Sequence, residues 1–258
     1  MSQKLKRIRA DELLVRNKLC DSRNQAKTLI LAGLVRMGTE LIEKSNRLLP
    51  ENANLELSET LKFVGRGGLK LENFLMDSGY KVEGLSILDL GASTGGFTDC
   101  LLQRGASQAT CVDVGHGQLH YRLRTDNRVQ NFEKTNLRKI SPEDIPGSPF
   151  PFVVMDLSFI SLRKVLPIAW SFLEPRGKIT ALVKPQFECK KEEADLGKGI
   201  IRDPEIHQRI LREIKQFAAE KLPQSNLLLE KNARPQGADG NQEFFLSWEK
   251  KFTDPVPE

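Results

Sequence analysis

The stretch "ILDLGASTGGFTDCLL", residues 87–102, constrains the fold of this chain more than any other. It reads as an apolar strand, an acid near the strand's end, a glycine turn and the start of a helix. Further strand patterns follow at "ATCVDV", "RVQNF", "FVVMDL" and "KITALVK", and a helix is expected across residues 161–173. Because strands that alternate with helices form parallel sheets, the sequence predicts a doubly wound α/β domain that binds its ligand at the strands' carboxyl ends.

The end of the chain departs from this alternation. A helical pattern over residues 204–222 is followed by two strand patterns, 226–232 and 241–250, with no helix between them. Two such strands predict an antiparallel hairpin at the sheet's edge, and hence a seven-stranded, mostly parallel sheet. Upstream, the sequence Arg66-Gly67-Gly68 is expected to break regular structure before a helix that starts at Leu69.

The first 62 residues form a region with its own composition. They carry twelve Lys and Arg residues against eight acids, whereas the remainder is nearly balanced. Helical spacing of Leu13, Leu14 and Leu19 predicts one short helix, and a second is expected between an N-cap at Asp21 or Ser22 and a stop at Gly33. A small sheet is expected to follow. The excess charge suggests a surface that faces a polyanion, although an ordinary solvated surface explains it equally well.

Three kinds of nucleotide-binding loop compete for the glycine turn. A phosphate-binding loop requires a lysine after the glycines, and the dinucleotide fingerprint requires GxGxxG, so the order Gly91-Ala92-Ser93-Thr94-Gly95-Gly96 matches neither. The remaining form, DxGxxxGGF, resembles the first motif of class I methyltransferases, which bind S-adenosylmethionine. That resemblance implies cofactor contacts from Asp89, Gly91, Ala92, Ser93, Thr94, Gly95, Gly96, Phe97, Asp113, Glu133 and Asp156, with Asp113 on the ribose and Glu133 beside the adenine.

Charged residues stand at the ends of two neighbouring strand patterns. Asp156 ends the fourth and Lys184 the fifth, and a lysine at a buried strand end is costly without a partner or a function. Parallel neighbours would bring both side chains to one rim, where Lys70 and Glu243 could join them. A structural ion-pair network is the alternative. No Pro-Pro-aromatic sequence follows the fourth strand, which disfavours methylation of base amines, and Cys189 is a poor candidate for a nucleophile.

Two resemblances suggest an RNA substrate. Lys70, Asp156, Lys184 and Glu243 resemble the Lys-Asp-Lys-Glu tetrad of the FtsJ-like RNA ribose 2′-O-methyltransferases. "RADELLVR" together with "SRNQAKTLILAGLV" resembles an S4 domain, a small α+β RNA-binding module. The S4 resemblance implies RNA contacts from Arg7, Arg9, Arg23 and Lys27, and Arg66 in the joint is a further candidate.

The order of all these motifs resembles the TlyA family, whose members join an S4 domain to an FtsJ-like domain. The family 2′-O-methylates cytidine in ribosomal RNA and is also described as hemolysins. The implied domains are 1–62 (S4), 63–84 (linker and first helix), 85–250 (methyltransferase) and 251–258 (frayed tail). The implied partner is ribosomal RNA within ribosomal subunits, in the cytoplasm, without membrane or DNA. A catalytically weak RNA-binding assembly factor and a membrane-lytic hemolysin are the alternatives.

Three further expectations concern single features. The four cysteines have no metal-ligand spacing, so neither a structural zinc nor another metal site is expected. Residues 189–204 are polar and are expected to form a loop that faces the substrate. Phe187 is a candidate for stacking on a base, with core packing as its alternative. Whether Lys184 acts as a general base or as a positive charge stays open at this point.

Overall fold

The computed structural model describes residues 6–31, 33–38, 40–42, 44–57, 62–237 and 239–252. Packing of the backbone separates two units, Met1–Arg66 and Gly67–Glu258. The four-part division that the sequence suggests stays a prediction, and most of its frayed tail lies outside the described residues. No helix in the described ranges is both long and apolar enough to cross a membrane.

The described part of the N-terminal unit has two small antiparallel sheets and two short helices. Leu13, Leu14 and Ile30 are among the side chains of its buried core. The second helix begins directly after Ser22, whose Oγ accepts a hydrogen bond from the Gln25 N–H at 3.2 Å. The elements are β1 (Arg7–Arg9), α1 (Ala10–Arg16), α2 (Arg23–Leu31), β2 (Val35–Met37), β3 (Glu40–Leu41), β4 (Leu48–Pro50) and β5 (Glu56–Leu57), with β1 paired to β4 and the order β3-β2-β5 in the other sheet.

The C-terminal unit is built around one large sheet. Its helices are α3 (Arg66–Ser78), α4 (Gly96–Gln103), α5 (Tyr121–Arg124), α6 (Leu166–Ser171), α7 (Pro185–Glu188), α8 (Lys191–Leu196) and α9 (Pro204–Lys221). Its strands are β6 (Ser86–Leu90), β7 (Gln108–Val112), β8 (Val129–Phe132), β9 (Phe150–Met155), β10 (Leu173–Val183), β11 (Ser225–Asn232) and β12 (Phe244–Lys250). Short 3-10 turns lie at Leu137–Lys139, Pro142–Asp144 and Leu162–Lys164.

The seven strands of this sheet lie in the order β11-β12-β10-β9-β6-β7-β8. Strands β8, β7, β6, β9 and β10 are parallel, whereas β12 is antiparallel to both of its neighbours. This arrangement confirms the predicted class I methyltransferase fold with an antiparallel hairpin at one edge. Strand β7 lies on one side of β6, and β9, which follows β8 in the chain, lies on the other. The strand order therefore reverses at β6, and ligands of open α/β sheets bind at such a switch point.

Several predicted boundaries are wrong. Helix α3 begins at Arg66 and includes Gly67 and Gly68, where a break was expected. A Cβ on Gly67 would lie 3.3 Å from the Phe97 ring, so glycine lets α3 approach α4 closely. The helix expected over residues 161–173 is a 3-10 turn followed by the short α6, and the loop expected over 189–204 contains α8. Helix α1 ends before Leu19, and Glu243 precedes β12.

Aromatic packing fixes α3 against the sheet. The ring of Phe245, in β12, lies 4.8 Å from that of Phe74 in α3 and 6.0 Å from that of Phe97 in α4. Tyr80, just beyond α3, packs edge-on against Phe74 at 5.7 Å. These contacts hold the helix that carries Lys70 beside the strand that follows Glu243.

Replacing Phe245 with Ala should lower the free energy of unfolding by about 3–5 kcal/mol, because the cavity left behind separates α3 from the sheet. Urea unfolding followed by tryptophan fluorescence measures the change. The control is Leu227→Ala in β11, where the side chain is 42% exposed and the expected loss is below about 1 kcal/mol. Equal losses in the two variants would contradict this role of Phe245.

Candidate active site

The glycine loop lies between β6 and α4, where the strand gives way to the helix. Gly91 has a φ of +84°, a conformation that favours glycine. A Cβ at this position would lie 2.7 Å from a methyl carbon of Leu157 and 2.8 Å from the carbonyl oxygen of Asp156. The loop therefore packs directly against the end of β9, and only glycine permits that approach.

Two cavities open beside this loop. The larger, of about 710 Å³, is lined by Gly91, Ser93, Asp113 and Asp156, together with residues that follow β7, β8 and β9. The smaller, of about 90 Å³, is lined by Asp89, Gly91, Ala92, Ser93, Thr94, Gly96, Phe97, Asp156 and Gly67. Nearly all the cofactor residues expected from the sequence therefore line one cavity or the other. The exceptions are Gly95 and Glu133.

Gly95 supports the loop from behind. Its φ is +92°, and a Cβ there would lie 2.2 Å from Leu123 and 2.8 Å from Leu119. Helix α4 begins at the next residue, so Gly95 lets the loop turn into the helix against these two leucines. Its placement indicates a backbone role.

Asp113 follows β7 and organises the opposite wall of the larger cavity. Its Oδ2 accepts a hydrogen bond from the Ser93 N–H at 2.8 Å, and its Oδ1 accepts one from the Gly115 N–H at 2.6 Å. A carboxylate can accept about four hydrogen bonds, so Asp113 keeps capacity for further donors. The side chain ties the glycine loop to the loop after β7 while it lines the cavity.

Glu133 contacts the loop after β7 and does not line the cavity. Its Oε2 accepts hydrogen bonds from the Gly117 N–H at 2.8 Å and interacts with His116 Nδ1 at 2.9 Å. The hydrogen bond from Gly117, with further donors, lowers the pKa of Glu133 to about 2. Oε2 thus contacts the loop after β7, and the predicted place of Glu133 beside an adenine receives no support from the cavity lining.

Asp89 is buried at the base of the glycine loop. Its Oδ2 accepts hydrogen bonds from the Thr98 N–H at 3.1 Å and from Thr98 Oγ1 at 2.7 Å. Its Oδ1 is buried and has no hydrogen-bond partner among the described residues. Burial raises the pKa of Asp89 to about 7. The carboxyl lines the smaller cavity, so a ligand with a hydrogen-bond donor or a positive charge would satisfy it.

The four charged residues expected at the rim form two ion pairs. Lys184 Nζ lies 2.6 Å from Asp156 Oδ1 and donates a hydrogen bond to Ser158 Oγ at 3.0 Å. Lys70 pairs with Glu243, and both side chains are buried. Gly67, one turn before Lys70, lies against Asp156, since a Cβ there would be 3.4 Å from Asp156 Oδ2. The structure thus forms two ion pairs from the four residues, and the pairing of Val183 with Phe244 places Lys184 and Glu243 at the same end of the sheet.

Two rim residues were missed at the level of sequence. Ser158 accepts the Lys184 hydrogen bond, and Phe159 is 90% exposed with a φ of +64°. The Phe159 ring lies 5.1 Å from that of Phe187, which is partly buried and so does not belong to the core. Ser158 and Phe159 could have been predicted as site residues from their position shortly after Asp156, because residues that follow a parallel strand lie at the ligand edge of the sheet.

The candidate RNA contacts of the N-terminal unit include an ion-pair network. Arg9 donates to Asp11 at 2.9 Å, and Arg23 lies 3.3 Å from Asp11 and 3.2 Å from Glu12. The Arg9 hydrogen bond lowers the pKa of the buried Asp11 to about 2. Arg7 and Lys27 are exposed, whereas Arg66 is partly buried at the start of α3. Arg23 therefore ties α2 to α1, and Arg9 ties the end of β1 to α1.

The fold and the loop define the class of this protein, an S-adenosylmethionine-dependent methyltransferase. A glycine loop with positive φ angles, an acid after β7 and a buried acid with an unsatisfied oxygen fit the sugar and the amino group of that cofactor. Residues 63–250 match the model of the FtsJ-like methyltransferase family. The chain belongs to the TlyA family of these enzymes.

The similar proteins include enzymes that modify ribosomal RNA. The 16S/23S rRNA (cytidine-2′-O)-methyltransferase TlyA of Mycobacterium tuberculosis is 40% identical, with 96% of this chain and 92% of that protein covered. The 23S rRNA (cytidine-2′-O)-methyltransferase TlyA of Campylobacter jejuni is 32% identical over 82% of this chain and 80% of its own length. A solved structure described as a hemolysin from Streptococcus thermophilus is 38% identical, has a TM-score of 0.74, and covers 96% of this chain and 90% of its own.

Replacing Gly91 with Ala should weaken S-adenosylmethionine binding at least about tenfold, because the new methyl collides with the end of β9 and displaces the loop. The control is Gly84→Ala, which has a similar φ of +75° but no atom within 4 Å of its Cβ. Both variants carry the left-handed strain of about 1–2 kcal/mol, so only the collision differs. Titration calorimetry that gives equal affinities for the two variants would contradict the placement of the cofactor.

Proposed function

We propose that this protein transfers the methyl group of S-adenosylmethionine to a ribose 2′-hydroxyl of ribosomal RNA, with cytidine as the nucleoside. The observation that carries the proposal is the contact between Lys184 and Asp156 at 2.6 Å, beside the cavity of the glycine loop. The names of the relatives from M. tuberculosis and C. jejuni support the substrate.

A ribose hydroxyl is a weak nucleophile and must lose its proton as it attacks. Lys184 can accept that proton when its amine is neutral, or stabilise the developing alkoxide as a cation. Asp156 and Ser158 hold the Lys184 ammonium in place at 2.6 Å and 3.0 Å. S-adenosylmethionine, when bound, supplies an electrophilic methyl group. Alignment of the acceptor oxygen with that methyl would contribute much of the rate.

The second ion pair has a supporting role in this proposal. Lys70 and Glu243 are both buried, and Lys70 lies one turn after Gly67, which contacts Asp156. A buried pair contributes little net stability, but removal of one partner leaves an uncompensated charge. The pair would therefore fix the start of α3 and the local field around Lys184.

The N-terminal unit would dock the RNA as an S4 domain over residues 1–62, followed by a linker and first helix over 63–84 and the methyltransferase domain over 85–250. Arg7, Arg9, Arg23 and Lys27 would contact phosphates, with Arg66 at the joint. Ribosomal subunits in the cytoplasm would supply the substrate. A catalytically weak assembly factor is the second candidate, but the complete charged quartet and the cavity favour an enzyme.

Replacing Lys184 with Ala should slow methyl transfer to ribosomal subunits by about 10²–10⁴-fold, because the proton acceptor or the stabilising charge is lost. Cofactor affinity should survive, since Lys184 lines neither cavity. Transfer of labelled methyl and titration calorimetry measure the two properties. Lys184→Arg separates the two roles, because arginine stays charged and cannot act as a base.

The matched control is Lys178→Ala, in β10, the strand that ends directly before Lys184. Lys178 pairs with Glu249 at 3.7 Å and is not part of the rim. Its replacement should leave the methylation rate within about twofold of the original, as for most surface changes. A Lys184→Ala protein with full activity would refute the assignment of the charged quartet.

A further inference from the structure

Glu188 is a buried carboxylate close to the rim that the chemistry above does not use. It ends α7, the short helix that begins directly after Lys184. Its side chain is 1% exposed. A carboxylate withdrawn from water is costly unless hydrogen bonds and a cation satisfy it. Its partners therefore indicate why it is buried.

All of those partners lie in one segment, residues 161–163. Ser161 Oγ donates to Glu188 Oε2 at 2.7 Å, and the Leu162 N–H donates to Oε1 at 2.5 Å. The Arg163 guanidinium lies 3.6 Å from Oε2 and also donates to the Glu188 backbone carbonyl at 3.0 Å. Glu188 thus fastens the segment that follows the β9 loop to the helix that follows Lys184.

The loop between β9 and this segment, residues 156–160, carries the groups that meet Lys184 and Phe187. Asp156 and Ser158 contact the Lys184 amine, and the Phe159 ring lies 5.1 Å from that of Phe187. The φ of +64° at Phe159 is rare for a residue with a side chain and persists only where the surroundings impose it. Strand β9 holds one end of the loop, and Glu188 holds the other.

We propose that Glu188 is a positioning residue for methyl transfer, which keeps Lys184 and the 156–160 loop at a fixed separation. The nature of the reaction rests on the proposed function above. The effect of Glu188 should fall mainly on the acceptor side, because the start of the loop, where Asp156 packs against Gly91 of the glycine loop, is also held by β6. The Asp156 N–H donates to the Leu90 carbonyl at 3.2 Å, which anchors the start of the loop to β6.

Glu188→Ala should lower kcat for methylation of ribosomal subunits at least about tenfold, since a small displacement of reacting groups costs that much or more. The Kd for S-adenosylmethionine should stay within about threefold of the original value. Glu188→Gln keeps an acceptor for the Leu162 N–H and a partner for Ser161, so it should recover kcat to within about threefold. Amide hydrogen exchange over residues 158–162 should be faster in the Ala variant and unchanged in the Gln variant.

The control is Glu213→Ala. It removes the second carboxylate that pairs with Arg163, whose Nη1 lies 3.3 Å from Glu213 Oε2, and it leaves the hydrogen bonds of Ser161 and Leu162 to Glu188 in place. It should leave kcat unchanged. A Glu213→Ala variant as slow as Glu188→Ala would assign the effect to Arg163 and overturn the proposal. The proposal would also be overturned if Glu188→Ala kept its kcat, lost kcat and cofactor affinity in parallel, or left amide exchange unchanged. Failure of Glu188→Gln to recover kcat would overturn it as well.

The exchange measurement needs no substrate and separates two kinds of failure. If the original protein transfers no methyl to ribose, the proposed function fails, while exchange at residues 158–162 still decides whether Glu188 holds the loop. If the original protein methylates ribose and Glu188→Ala does so equally well, only the positioning proposal fails.

Discussion

The parallel pairing of β9 with β10 brings two opposite charges to one edge of the sheet, and the rest of the candidate site depends on it. Ala181 lies opposite Met155 near the ends of the two strands. Asp156 is the residue after β9 and Lys184 the residue after β10, and Lys184 Nζ lies 2.6 Å from Asp156 Oδ1. Both side chains are partly buried, and such an ion pair contributes little net stability because desolvation offsets the Coulomb attraction. The value of this pair is therefore positional, since it fixes an amine beside a cavity that the glycine loop shapes.

Other elements converge on the same edge through packing. Phe245 packs on Phe74, which holds α3 against the sheet and lets Lys70 meet Glu243. Glu188 joins the segment after β9 to the helix after Lys184, so the rim loops support one another. The glycine loop forms the cofactor side of the site, and Asp113 links it to the loop after β7. One end of the sheet thus carries a cofactor wall and an acceptor wall that meet at Asp156.

Local patterns in the sequence were enough to predict the parallel sheet, the edge hairpin, the glycine loop and the charges at Asp156 and Lys184. Features that depend on tertiary contacts could not be predicted from these local patterns. Gly67 and Gly68 predicted a break, yet the first turn of a helix tolerates glycine and the Phe97 ring leaves little room for a side chain. The place of Glu133 beside an adenine stays a prediction, and its carboxylate accepts a hydrogen bond from the Gly117 N–H. Glu188 lies in a polar run, and its burial depends on Leu162, 26 residues away.

The most direct test is the chemical identity of the methylated product. The purified protein would be incubated with methyl-labelled S-adenosylmethionine and separated ribosomal subunits, and the RNA digested to nucleosides for mass spectrometry. We expect the label in 2′-O-methylcytidine, with the phosphodiester that follows it resistant to alkaline cleavage. Label on a base would contradict ribose methylation assisted by Lys184. So would the absence of label from the RNA of both subunits, if the protein binds the cofactor.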